Sequence, residues 1–335
     1  MDKVAWHIAV LFAGSTLGGF YLGGYEWLRF FTYFGSWGTI GIALAALGLG
    51  WFGVQLLTFC HRKQIRSLYE LYYVLFGEAF ASSLSAITHI LLLGYTGVML
   101  GQQADFLLEE FSPLWFILLT IVAVFFILNR WRWIVTATAI SLSTGLLLFG
   151  LIFSAQSHVP IPSLGYQLNV NWLIHAVFFL ALHFLIGLAT TLPLAVRASH
   201  ERTVRMGAMI GAGIFLLFTL LGQAILLAHW HDSHASVLPI KQILVQMMPG
   251  GDWLLAILSF VHGGVIVAAL LYSLSHPIAT RQHLQMLPLI VAMLLTVFVF
   301  SLLTLVVPWS MSAIASAATY CGMFLMGWYV WKQPN

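Results

Sequence analysis

His89, His183, His262 and Glu26 each lie inside a long apolar run of the sequence. An ionisable side chain within a membrane span is expensive and marks a substrate path or a proton relay by default. Imidazole titrates near neutral pH, so a histidine there can carry a coupling proton. With each run taken as a straight span, His183 stands at half depth, His262 close to it, and His89 a few residues before the centre of its own run. Glu26 falls well past the centre of the first run, near Leu17. At 1.5 Å per residue that is roughly 13 Å toward the outer face. There it can pair with Arg29 at i+3 or close an outer gate.

The run that carries Glu26 is also broken by glycine. Residues 13–24 read AGSTLGGFYLGG, between apolar arms at 4–12 and 20–31. Each glycine weakens a helix by about 1 kcal/mol relative to alanine. A break at membrane depth exposes N–H and C=O groups that need protein, water or a solute to satisfy them. Gly14, Ser15, Thr16, Leu17, Gly18 and Gly19 are therefore candidate substrate contacts. Residues 177–193, VFFLALHFLIGLATTLP, repeat the pattern with His183, Gly187, Thr190, Thr191 and Pro193. Polar, Gly- and Pro-marked interruptions in two halves of a chain point to a transport site. The structural alternative is that Gly187 allows close packing and Pro193 ends the helix.

The elements that must hold these residues are membrane helices. Of 335 residues 61% are hydrophobic and 7% charged, with mean hydropathy +0.97, a composition of an integral membrane protein. Ten runs of membrane length are expected, near 4–31, 37–60, 79–108, 113–129, 133–155, 170–196, 205–229, 253–275, 286–307 and 311–331. Residues 67–77 and 237–248 are expected as interfacial helices. The first run is read as an uncleaved span rather than a signal peptide. Of the 13 Lys and Arg, all but Arg29 and Lys241 fall on one side of this arrangement, which places both termini in the cytoplasm. Residues 1–335 read as one membrane domain of two five-span blocks, 1–160 and 161–335. An odd span count makes the second block enter from the opposite face, the topology of an inverted repeat.

Other features carry less. Cys60 and Cys321 are far apart and suggest no disulfide. His229, His231, Asp232 and His234 could meet a metal, but a solvated outer loop explains them as well. The tryptophans near span ends form an aromatic belt. There is no phosphate loop, paired catalytic acid or nucleophile elbow, so neither an enzyme, a cofactor site nor a nucleic-acid surface is expected.

Gly14-Ser15-Thr16-Leu17-Gly18-Gly19, Tyr25-Glu26, and residues 28–38 (LRFFTYFGSWG) resemble the N-terminal signature of the YkvI-like bacterial membrane proteins. The resemblance is specific over the first eighty residues and colinear beyond. That family is similar to the amino acid–polyamine–organocation superfamily with its LeuT-like fold. The resemblance implies an all-α bundle of two inverted five-helix repeats, with broken helices 1 and 6 holding the substrate and helices 3 and 8 lining it. It implies Gly14–Gly19 and His183 at the substrate, His89 and His262 as liners, and a bacterial cytoplasmic membrane. Sodium-coupled relatives usually offer hydroxyl groups on helix 8, where residues 259–265 here read SFVHGGV.

The expected function is thus secondary transport of a small organic solute, with an amino acid as the candidate class, by alternating access. Proton-coupled or uncoupled movement is favoured over sodium coupling. The alternatives are a divalent-metal transporter using His89, His183 and His262, and a sensor or receptor subunit on the same scaffold.

Overall fold

A computed structural model describes residues 2–18, 21–107, 112–128, 131–156, 170–307 and 309–332. The described residues are helical, with no strand among them. In lipid every backbone polar group must be satisfied by the protein itself, and a helix does this within its own segment. Among the described residues eight helices are long and apolar enough to cross a membrane. The chain is a multi-pass membrane protein. Large apolar side chains such as Leu47, Leu147, Leu151 and Val299 face outward from the bundle, as a lipid-facing surface requires.

The first run divides as its glycines suggest. α1 (Lys3–Leu17) ends at Gly18, a 3-10 turn occupies Tyr21–Gly23, and α2 (Tyr25–Phe30) resumes the path. Gly18 has φ 83° and ψ 161°, a region open essentially to glycine alone. Beyond a second 3-10 turn come α3 (Ser36–Lys63) and the short α4 (Leu68–Phe76). The first half closes with α5 (Glu78–Leu107), α6 (Ser112–Leu128) and α7 (Trp131–Ala155). Next come α8 (Asn171–Ala195) and α9 (Glu201–Ala228), then α10 (Trp230–Ser233) and α11 (Pro239–Met247) in a connection. The last are α12 (Gly251–Gln282), α13 (Met286–Val306) and α14 (Trp309–Lys332).

The packing has an internal rule. α1 packs on α9 as α8 packs on α3, and α5 packs on α13 as α12 packs on α6. α8 packs on α14 as α1 packs on α7, and α12 packs on α7 as α5 packs on α14. Exchanging α1 with α8, α3 with α9, α5 with α12, α6 with α13 and α7 with α14 reproduces these contacts. The contacts of α8 and α1 with α12, and of α7 with α9, lack a counterpart of similar extent.

One expectation is corrected. The helix holding His183 is not broken: α8 runs continuously from Asn171 to Ala195 with Pro193 inside its last turn. The Thr190 and Thr191 hydroxyls turn back to the Gly187 carbonyl at 3.0 and 2.6 Å, so their polarity is satisfied by the helix itself. Gly187 serves the approach of α1. A Cβ there would stand 2.5 Å from Thr16 Cγ2 and 3.2 Å from Phe12 Cε2.

Candidate functional site

The break in the first run brings together groups that lie far apart along the chain. A Cβ on Gly18 would lie 3.2 Å from His183 Cε1 and 3.3 Å from Glu26 Oε2. His183 is fully buried on α8, its ring stacked on Phe179 at 3.9 Å between centroids. Its Nε2 lies 3.6 Å from Glu26 Oε2. The other carboxylate oxygen, Oε1, accepts a 2.6 Å hydrogen bond from the Tyr95 hydroxyl on α5. Neither ring nitrogen of His183, nor Glu26 Oε2, has a hydrogen bond of normal geometry, although the His183 ring also faces the Thr16 carbonyl. Leaving a buried polar group unsatisfied costs about 1–3 kcal/mol. A carboxylate, an imidazole and a phenol thus meet at the unwound end of α1 with bonding capacity to spare.

This corrects the depth of Glu26. The straight-span ruler puts it near the outer face, but the chain turns at Gly18 and Gly24 (φ 83° and 75°) and brings its carboxylate to His183. Arg29 is not its partner: the guanidinium lies over the Tyr25 ring at 4.7 Å.

A second histidine stands on the other side of the α1 end. His262 Nδ1 lies 2.8 Å from the Ser141 hydroxyl of α7, and its ring meets the Tyr21 ring edge-on at 4.7 Å. Its Nε2 faces the Gly14 and Gly18 carbonyls without closing a hydrogen bond of normal geometry. Gly14 admits this approach: a Cβ would lie 2.5 Å from Thr138 Cγ2 and 3.7 Å from His262 Cε1. Among the remaining residues of the segment, Ser15 Oγ is 2.8 Å from Thr190 Oγ1. Thr16 donates to the Phe12 carbonyl at 2.8 Å, and Leu17 is buried at the helix end. Ser15 thus ties α1 to α8, and Thr16 ties α1 to itself. Gly19 lies outside the described residues.

His89 does not join this group. It is half-buried on α5 and donates Nδ1–H to the carbonyl of Ser85 in its own helix, 2.6 Å away. The three histidines therefore do not converge, and no group of three metal-ligating side chains forms among the described residues, the loop at His229–His234 included. The residue that α5 does send to the site is Tyr95. Sequence reading passed it over because a tyrosine in an apolar run is an ordinary core residue. It lies six residues past His89, on a different face of α5, so the histidine did not point to it.

A cavity of about 30 Å³ lies beside Gly18, enough for a water. Tyr95, Met99, Ile186, Gly263 and Ile266 are among its walls, so α5, α8 and α12 all border it. Above the break, α11 packs on the 3-10 turn, and a Cβ on Gly24 would stand 2.7 Å from Ile240 Cγ1.

Comparison with known proteins agrees with the membrane reading. The chain is 26% identical over 247 residues to the uncharacterized membrane protein YkvI of Bacillus subtilis, covering 72% of this chain and 71% of that protein. The likeness supports a YkvI-like membrane protein. No protein-family model matches the chain.

Proposed function

We propose that this protein is a secondary transporter that moves a small organic solute, with Glu26 and His183 as its proton-carrying pair. The observation that carries the reading is the meeting of Glu26, His183 and Tyr95 at Gly18, with His183 and Glu26 Oε2 unsatisfied. An ionisable pair at an unwound helix end inside the membrane is suited to exchange a proton as a solute arrives.

The paired packing supports a LeuT-like arrangement of two inverted five-helix units, with α1 and α2 as one broken span and α6 as the tenth crossing. In that frame α1, α5, α8 and α12 surround the solute. The walls are mostly apolar, with Gly18, Tyr95 and Thr96 as polar contacts. At about 30 Å³ the cavity admits only a water as it stands, so a compact solute, an amino acid in class, would enter only once α1, α5, α8 and α12 move apart. His262 occupies the face of the α1 end where a cation would need oxygen ligands. An Nε2–H there turns toward the Gly14 and Gly18 carbonyls, which favours a proton over sodium. The protein acts as a carrier rather than an enzyme, in a bacterial cytoplasmic membrane with both termini inside.

The reading is tested with purified protein. A thermal-shift screen of amino acids, with and without sodium, is expected to give a hit that needs no sodium, because binding to the folded state raises its melting temperature. The same solute should enter liposomes saturably, and His183→Ala should abolish both effects. Saturable binding without flux would replace the transporter reading with a receptor.

A further inference from the structure

A cavity of about 620 Å³ lies at the end of the bundle where the basic residues gather, and neither His183 nor His262 lines it. Its rim carries Arg62 and Lys63 from α3, Arg205 from α9 and Lys332 from α14. Glu201 answers part of this charge: Arg62 Nε and a terminal nitrogen reach its two oxygens at 2.5 and 2.7 Å, and Arg205 reaches it at 3.2 Å. Lys332 donates to the Leu75 carbonyl at 2.5 Å. Among the described residues Lys63 has no acidic partner, so four cations stand against one carboxylate.

Two further features separate this cavity from a water-filled notch. Thr58 also lines it; its side chain is 5% exposed and its hydroxyl has no hydrogen-bond partner. Val54 and Phe59 of α3 and Val74 of α4 form an apolar wall that continues into the lipid-facing surface, with Val74 45% exposed. α3 and α14 meet at Tyr329, whose hydroxyl donates to the Gln55 carbonyl at 3.4 Å, and the cleft opens beside that contact.

We propose that this cleft holds an anionic phospholipid of the leaflet at the basic end, its phosphate among Lys63, Arg205 and Lys332 and its acyl chains along Val54, Phe59 and Val74. Basic pockets between membrane helices bind anionic headgroups, and arginine and lysine are the side chains that hold phosphate. A soluble anion would meet the same cations but has no use for the apolar wall. The proposal rests on the chain crossing a membrane and is independent of transport.

The full chain is purified in phosphatidylcholine micelles. Native mass spectrometry and melting temperature are then read with phosphatidylglycerol, with phosphatidylcholine of the same acyl chains, and with inorganic phosphate. Phosphatidylglycerol should be retained as an adduct and raise the melting temperature, and the other two should do neither. The Lys63→Gln/Arg205→Gln double variant should bind phosphatidylglycerol about tenfold more weakly, with an unchanged melting temperature in phosphatidylcholine. Lys63→Arg/Arg205→Lys should restore binding. Equal retention of the two lipids, a shift by inorganic phosphate alone, or undiminished binding by a folded double variant would overturn the proposal.

Discussion

Gly18 is the residue on which the site turns. Its backbone angles are open essentially to glycine, and a methyl group would press on both His183 and Glu26. Gly18→Ala should therefore destabilise the protein by about 1–3 kcal/mol, read as a lower melting temperature, and abolish solute binding. Tyr95→Phe removes only the hydroxyl that donates to Glu26. It should lower stability by about 1–2 kcal/mol and slow uptake while leaving the protein folded. Unaltered uptake by Tyr95→Phe would remove the phenol from the mechanism. Asp2 gives a pH test at the other end of α1. It caps the helix through the Val4 amide at 3.2 Å and accepts from Thr203 and Ser199 at 3.0 and 3.2 Å. The Val4 amide first, then the Thr203 hydroxyl, hold its carboxyl below the usual 3.8. A lowered carboxyl value stabilises the fold above the unfolded value and loses that contribution as pH falls through the folded one. The tether of α1 to α9 should hold near neutrality and loosen only in acid below about 3.8. Amide exchange at residues 3–6 measures it, and Asp2→Asn should remove the pH dependence.

At the scale of elements, the break in the first run was legible because glycine acts locally. Gly18 and Gly24 both take positive φ. The continuity of α8 was not legible. A histidine, a glycine, two threonines and a proline within eleven residues have the composition of an interruption. Whether they make one depends on where the hydroxyls point and on what passes beside Gly187, both of which tertiary packing decides. Glu26 was misplaced for a related reason: depth counted along a straight helix fails once the helix turns. His262 was legible as a buried histidine, but its Ser141 partner was not, since α7 reaches it from 121 residues away. Small residues also set how closely helices meet. A Cβ on Gly322 of α14 would run into the Ala181 carbonyl of α8. Gly322→Leu should overpack this contact and cost about 1–3 kcal/mol, seen as reduced thermal stability of purified protein.

At the scale of the molecule, the paired packing of α1 through α7 and α8 through α14 makes orientation a strong test. In an inverted arrangement with cytoplasmic termini, the connection between α8 and α9 lies inside and that between α10 and α11 outside. Ala235→Cys should react with a membrane-impermeant maleimide in intact cells, and His200→Cys only after permeabilisation. Both positions are exposed, whereas Cys60 is buried. The reverse pattern would invert the bundle and take the basic cleft out of the cytoplasmic leaflet. The central claim, that Glu26 and His183 carry the proton, is tested most directly by uptake into liposomes under an imposed pH gradient, with wild type and Glu26→Gln compared in the same solute. The wild-type protein should concentrate the solute along the proton gradient without sodium. Glu26→Gln should exchange solute across the membrane at equilibrium yet no longer concentrate it. Wild-type uptake indifferent to the gradient, or a Glu26→Gln protein that concentrates solute as well as wild type, would contradict the account.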